Sequence, residues 1–150
     1  MDALSAAPGV YALVLMIDPL CTLQIGRLGV FTFQVGTYLY LGSARGPGGV
    51  AARVNRHLQD GSMKRKHWHV DWLRQVARPI GVIWTHANEG DECEWARALS
   101  SLGTRQPAGF GASDCSCEGH LIRLEHGTHW EHAIASLHAM HGKRLLHKTI

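Results

Sequence analysis

Two tyrosine triplets, Gly9-Val10-Tyr11 and Tyr40-Leu41-Gly42, stand at or near the edges of apolar runs. If those runs are adjacent strands, two phenols meet in a buried pocket with their oxygens at its mouth. Downstream, the stretch GVAARVNRHL from Gly49 to Leu58 sets Arg53 one helical turn before His57. These groups suit chemistry at a phosphoryl centre. In-line hydrolysis adds negative charge to the phosphoryl oxygens, and a guanidinium offers them two directed hydrogen bonds where a lysine gives a looser contact. A phenol with a reference pKa of about 10 is a poor base in water. Neighbouring cations or metal-bound water would let Tyr11 or Tyr40 take a proton. Alone, either tyrosine reads as a core or sheet aromatic, and Arg53 as a solvated helix residue.

The elements that must position these side chains follow from pattern. Pro8-Gly9 opens an apolar strand from Val10 to Ile17, closed by Asp18-Pro19. Short strands are predicted for Thr22 to Ile25 and Val30 to Phe33, and another begins near Thr37, implying a small antiparallel or mixed sheet. The glycine-rich loop from Ala44 to Gly49 leads into a helix, Val50 to Leu58, with Val50, Val54 and Leu58 on one side. A basic turn from Asp60 to Lys66, a helix from His69 to Val76 and a strand from Ile80 to Ala87 come next. The segment from Asp91 to Leu102 reads as a helix with Gly103 as its C-cap. After a loop from Pro107 to Gly119, a strand from His120 to Leu124 and a helix from Trp130 to Met140, ended by Gly142, complete the prediction. At 150 residues, 45% hydrophobic and 18% charged, the chain fits one α/β (α+β) domain, residues 1–150, with a small, mostly antiparallel central sheet flanked by helices.

The formal net charge is only +3, but its distribution is uneven. Arg45, Arg53, Arg56, His57, Lys64, Arg65, Lys66, His67 and His69 fall in one interval whose single acidic residue is Asp60. On one face they form a phosphate-seeking surface, with Arg45, Arg56, Lys64, Arg65, Lys66 and His69 as contacts to a nucleic-acid backbone. In KRKHWHVDWL, His67 and Asp71 could share a helix face, so that the carboxylate orients the imidazole. The bland alternative is a basic solvent face locked by Trp68 and Trp72.

At this point the chain resembles the GIY-YIG nuclease superfamily, and more closely its DUF123-type branch, which occurs alone or beside an endonuclease III-like DNA glycosylase. The stretches that carry the resemblance are GVYALVL, GRLGVFTF, GTYLYLGSARGPGGVAARVNRHL, KRKHWHVDWL, ECEWARAL and GFGASDCSCEGHL, from Gly9 to about Leu121. Val10 and Leu41 replace the motif's isoleucines and keep its apolar bulk. The resemblance implies a nuclease fold that cuts phosphodiester bonds with one divalent cation, Mg2+ or Mn2+. Tyr11 and Tyr40 match the two motif tyrosines, Arg53 the catalytic helix arginine and His57 a frequently basic position on the next turn. His67 matches a histidine that several nuclease relatives use. The family's metal-binding glutamate lies on a later helix, which makes Glu94, or alternatively Glu92, the ligand. Asp91 and Glu94 also have capping-box spacing, a purely structural alternative.

Cys93, Cys115, Cys117 and His120 are soft donors that could hold a structural zinc, although their spacing departs from the usual hairpin. The cysteines do not look like a secreted disulfide framework, and the late histidines, including His138 and His141, lack a carboxylate close in sequence. No nucleophile triad, Walker lysine loop or dinucleotide fingerprint is present. The first residues lack a signal-peptide pattern and the apolar runs are too short to span a bilayer, so a cytoplasmic protein with reduced cysteines is expected. The expected activity is metal-dependent hydrolysis of DNA, in branched or damaged form, with RNA as another polyanion that phosphate contacts accept. The alternative is a catalytically weak nucleic-acid-binding module that assists a DNA-repair partner.

Overall fold

The computed structural model describes residues 4–59, 65–87, 91–112 and 118–150. Its central sheet has six strands in the order β6-β7-β4-β1-β5-β8, and every neighbouring pair is antiparallel. The strands are β1 (Gly9–Ile17), β4 (Gly36–Ala44), β5 (Arg78–Thr85), β6 (Gly103–Arg105), β7 (Leu121–Leu124) and β8 (Leu145–Thr149). A separate hairpin joins β2 (Cys21–Ile25) to β3 (Gly29–Phe33). Among the described residues four α-helices accompany the strands: α1 (Gly49–Leu58), α2 (His69–Leu73), α3 (Glu92–Leu99) and α4 (Glu131–His141).

Side-chain alternation along β1 divides the core. Tyr11, Leu13, Leu15 and Ile17 face a cluster with α1, α2 and the hairpin, including Val50, Val54, Val70 and Leu73. Val10, Ala12 and Val14 face the opposite cluster with Trp95, Leu99, Ala133 and Leu137 of α3 and α4. A strand covered on both faces needs no polar side, which is why β1 reads as an unbroken apolar run. By contrast, β2 and β3 bury one face only, and they pair with each other instead of joining the main sheet.

The mixed fold with its antiparallel sheet and flanking helices agrees with the sequence reading, while several boundaries need correction. Helix α2 ends at Leu73 and continues only as turns through Val76. Pro79 lies inside β5, beside a register shift between Val14 and Leu15, where a missing N–H is tolerated. Gly103 does not cap α3: its backbone is extended, it starts β6, and a Cβ there would fall on the Arg123 carbonyl of β7. Strands β6 and β8 are short edges with little apolar pattern, and pattern reading missed both. Gly142 does end α4, with φ 57°.

Gly9 lies at the start of β1 because a Cβ would strike the Thr85 carbonyl of β5 and come within 2.9 Å of Val50 Cγ2. Gly46 faces open space. Gly9→Ala is therefore expected to lower the unfolding free energy by about 1–3 kcal/mol, the usual cost of overpacking an interior. Gly46→Ala should change it by less than about 0.5 kcal/mol. Equilibrium urea unfolding of the two variants checks both values.

Candidate active site

Helix α1 carries Arg53 and His57, and both of its ends are fixed. At the start, the N–H groups of Val50 and Ala51 donate to the carbonyls of Ala7 and Ser5, at 3.1 and 2.9 Å. The amino-terminal segment thus satisfies donors that a helix start leaves without internal partners. At the other end Arg74 donates to the carbonyls of His57, Leu58 and Gln59, at 2.7, 3.3 and 3.0 Å. Val50 and Val54 form the buried stripe as the sequence suggested, Leu58 packs against the same core while partly buried, and His57 joins them fully buried.

The buried side of α1 meets both tyrosines. The strand register sets Tyr11 opposite Gly42 and Leu13 opposite Tyr40, so the two phenols belong to neighbouring strands and their ring centroids lie 6.5 Å apart. The Tyr11 ring lies across Gly42, leaving no space there for a Cβ. Its hydroxyl is 2.6 Å from His57 Nε2, and the Tyr40 and His57 rings meet edge to face at 5.7 Å. Burial and then the neighbouring Tyr40 push the Tyr11 phenol well above its ordinary value of 10, against the opposing pull of Arg53. Burial likewise raises Tyr40, with Arg53 opposing. Both phenols are therefore protonated at neutral pH, and a base role for either needs an acceptor for its proton. Tyr11 has one in His57.

Ser43, a residue that motif reading passed over, links the two helical layers. Arg53 Nη1 donates to the Ser43 carbonyl at 3.1 Å, from the α1 side of the sheet. The Ser43 hydroxyl donates to Glu92 Oε2, at the start of α3 on the other side. Glu92 is half-buried and close enough to disfavour ionisation of both phenols. Glu94, the carboxylate favoured from sequence, is exposed, and its backbone N–H donates to the Asp91 side chain that caps α3. Two residues along a helix is about 200° of rotation, so the two glutamates cannot face one site. The structure brings Glu92 to the tyrosines and Arg53, and leaves Glu94 outside.

Trp68 forms the outer wall. The Arg53 guanidinium carbon lies 4.3 Å from the Trp68 ring centre and that of Arg56 4.9 Å. Together with Ala44, Gly46, Pro47, Gly49 and Ala52 they line a cleft of about 230 Å³. Asp71 is fully buried; its Oδ2 accepts from the backbone N–H groups of His67 and Trp68, at 2.7 and 2.9 Å, and from Arg56 at 2.9 Å. Burial alone would raise this carboxyl, but the hydrogen bonds from Trp68, His67 and Arg56 hold it below its ordinary value. Asp71 does not orient the His67 ring as the sequence suggested. It takes the His67 backbone N–H, and the imidazole is exposed, edge-on to Trp68 at 4.8 Å.

The expected basic face is only partly free for a ligand. Arg45 and Arg65 are exposed and Lys66 is half-exposed, while Lys64 lies outside the described residues. Arg56 is committed to Asp71 and to the Arg65 carbonyl, and His69 Nδ1 accepts from the Gly111 N–H at 2.8 Å. The zinc set is not assembled among the described residues: Cys115 and Cys117 fall outside them, and Cys93 is disulfide-bonded, which removes the thiolate that zinc needs. That disulfide also corrects the expectation of reduced cysteines at this position. His120 Nε2 lies 3.4 Å from Cys93 Sγ, and burial lowers the His120 pKa. Of the late histidines, His141 is buried and its Nε2 accepts from the Trp95 indole at 3.0 Å, so it serves the α3–α4 packing. Among the described residues no helix is long and apolar enough to cross a membrane.

The fold and site define a mixed α/β domain whose polar residues converge at one end of its sheet, between two helical layers. The chain belongs to the family described as Domain of unknown function DUF123, which it matches over residues 10–143, a span containing Tyr11, Tyr40, Ser43, Arg53, His57 and Glu92. No curated protein and no solved structure matches the chain.

The His69 bond to Gly111 gives a pH dependence with a defined sign. Burial pulls this imidazole below its ordinary value of 6.5, and protonation at Nδ1 would replace the acceptor with a donor. Because the folded pKa is the lower one, the contribution is complete above about pH 6.5 and is lost as the pH falls from there through the folded value. Exchange at the Gly111 amide, corrected for its intrinsic rate, should be slow at pH 7.5 and faster at pH 5. Equal protection at both values would contradict the assigned bond.

Proposed function

We propose that this protein is a divalent-cation-dependent endonuclease of the GIY-YIG kind, hydrolysing phosphodiester bonds in DNA, with branched or damaged forms as its substrates. The observation that carries the reading is the Ser43 bridge: its carbonyl holds Arg53 and its hydroxyl holds Glu92, drawing a guanidinium and a carboxylate to one sheet end from opposite faces. The order of Tyr11, Tyr40, Arg53, His57 and a later helix glutamate, which resembles that superfamily, supports the same reading. Arg45, Arg65 and Lys66 would meet neighbouring phosphates on the exposed side.

A single magnesium or manganese ion suits the donors present. Among the described residues no three His, Cys, Asp or Glu side chains gather into a closed cage. One carboxylate, completed by waters and substrate phosphate oxygens, is a usual mode for magnesium. Glu92 offers that carboxylate, with Oε2 already oriented by Ser43. When bound, the ion would supply Lewis-acid stabilisation of the phosphate and lower the pKa of a coordinated water. Arg53 donates to the phosphoryl oxygens as charge develops. Tyr11 passes its proton to His57 Nε2 as it takes one from the attacking water. Tyr11 has no accessible surface, so this relay requires the attacking water to reach the phenol beside Arg53.

The test is a panel of labelled single-stranded, duplex, flapped and four-way DNA, with an RNA duplex alongside, incubated with magnesium, manganese or chelator. Wild type is expected to cut at least one DNA form only with metal. Arg53→Ala and Glu92→Gln should each lose about a hundredfold or more in rate, whereas Glu94→Gln should stay within about threefold, as for an exposed residue outside the site. Wild type that binds these forms and cuts none under any metal condition would sink the proposal and favour a binding module that assists a repair partner.

A further inference from the structure

We propose that Trp68 is a positioning residue that fixes the guanidinium plane of Arg53, and that Asp71 is the anchor that holds Trp68 in place. The inference rests on the reading of Arg53 as the phosphate-binding group.

The geometry carries it in two steps. A guanidinium stacked on an indole is held through its face, so stacking restrains its plane without using its N–H donors. Arg53 Cζ lies 4.3 Å over the Trp68 ring centre while its Nη1 donates to the Ser43 carbonyl, so one nitrogen is tied to the sheet and the guanidinium carbon is held over the indole. This restraint is specific to arginine, because a lysine ammonium has no plane to hold. Arg56 shares the same ring at 4.9 Å, but its Nη2 is engaged by the Asp71 carboxylate and the Arg65 carbonyl. It acts as a strut from α1; both guanidiniums line the cleft, and of the two it is Arg56 that is ion-paired with a carboxylate.

Trp68 is itself restrained by charge. It is the residue before α2, and Asp71 three positions later accepts from its backbone N–H and from that of His67. The carboxylate is fully buried and remains ionised through these bonds and that from Arg56. Two guanidiniums on one indole would repel each other, and the Asp71 charge beside Arg56 offsets that repulsion. Trp68 also meets the buried His57 ring edge to face at 5.8 Å, so the same indole touches both functional residues of α1.

The experiment has a spectroscopic arm and a kinetic arm. In wild type the Nε–H resonance of Arg53, assigned through its loss in Arg53→Lys, should lie upfield from ring-current shielding. Trp68→Leu should return it to the position of exposed arginines, Trp68→Phe should keep it partly shielded, and Asp71→Asn should move it part of the way. In DNA cleavage, Trp68→Leu should lower kcat about tenfold, the scale of a partly desolvated cation–π contact, with Trp68→Phe recovering much of the loss. In an Arg53→Lys background the same Trp68→Leu change should cost less than about twofold, since coupling vanishes when one partner is already gone. If Trp68→Leu fails to fold, the Trp68→Phe and Asp71→Asn spectra decide. An Arg53 resonance that stays in place in folded Trp68 and Asp71 variants, or an equal kinetic loss with lysine at position 53, would overturn the proposal. Absence of cleavage by wild type would sink the nuclease reading alone, because the arginine resonance still judges the positioning claim.

Discussion

The contact on which the site depends is the 2.6 Å hydrogen bond between the Tyr11 hydroxyl and His57 Nε2. Tyr11 belongs to a central strand and His57 to the helix that carries Arg53, so this bond sets how α1 is seated on the sheet. Both side chains are fully buried, where an unpaired polar group would be costly and a satisfied one specifies a single arrangement. The surrounding sequence serves that seating. Gly42 lets the phenol lie flat across β4, Gly9 lets β1 approach Thr85, and the Ser5–Ala7 segment and Arg74 hold the two ends of the helix.

With α1 seated, two further links extend the site beyond the core. Ser43 joins Arg53 to Glu92 across the sheet end, and Trp68 covers the outer face of the same guanidinium. Buried Asp71 is shared by α1 and the start of α2, coupling the wall of the cleft to the helix behind it. The result is a graded environment: phenols and imidazole at the back, arginine and glutamate half-buried at the front, and exposed basic side chains beyond. A phosphate entering from the front would meet the exposed and half-buried charges before the phenols and the imidazole.

Much of this was legible in the sequence, for reasons that particular residues make plain. Strands covered on both faces announce themselves as apolar runs, and the spacing of Val50 and Val54 identified the helix that carries Arg53 and His57. Other features depend on where an element starts or on backbone groups. Because α3 begins at Glu92, its first glutamate reaches back toward Ser43 while Glu94 turns outward. Ser43 contributes a carbonyl as well as its hydroxyl, and a carbonyl has no side-chain signature. The separation of Trp68 and Asp71 is that of a helix cap and its third residue, the one available signal that Asp71 would bind backbone N–H groups and not the His67 ring. Strand β8 escaped notice because an edge strand alternates buried and exposed residues over only five positions.

The central claim is that Arg53 and Glu92 form one cation-dependent phosphate site through Ser43, with Glu94 outside it. A titration of isotope-labelled protein with Mn2+, followed by paramagnetic broadening of backbone amides, tests it most directly. The account predicts that Ser43, Arg53 and Glu92 broaden first, that Glu92→Gln abolishes this pattern, and that Glu94→Gln leaves it intact. Broadening centred on Glu94, or a pattern unchanged in Glu92→Gln, would contradict it.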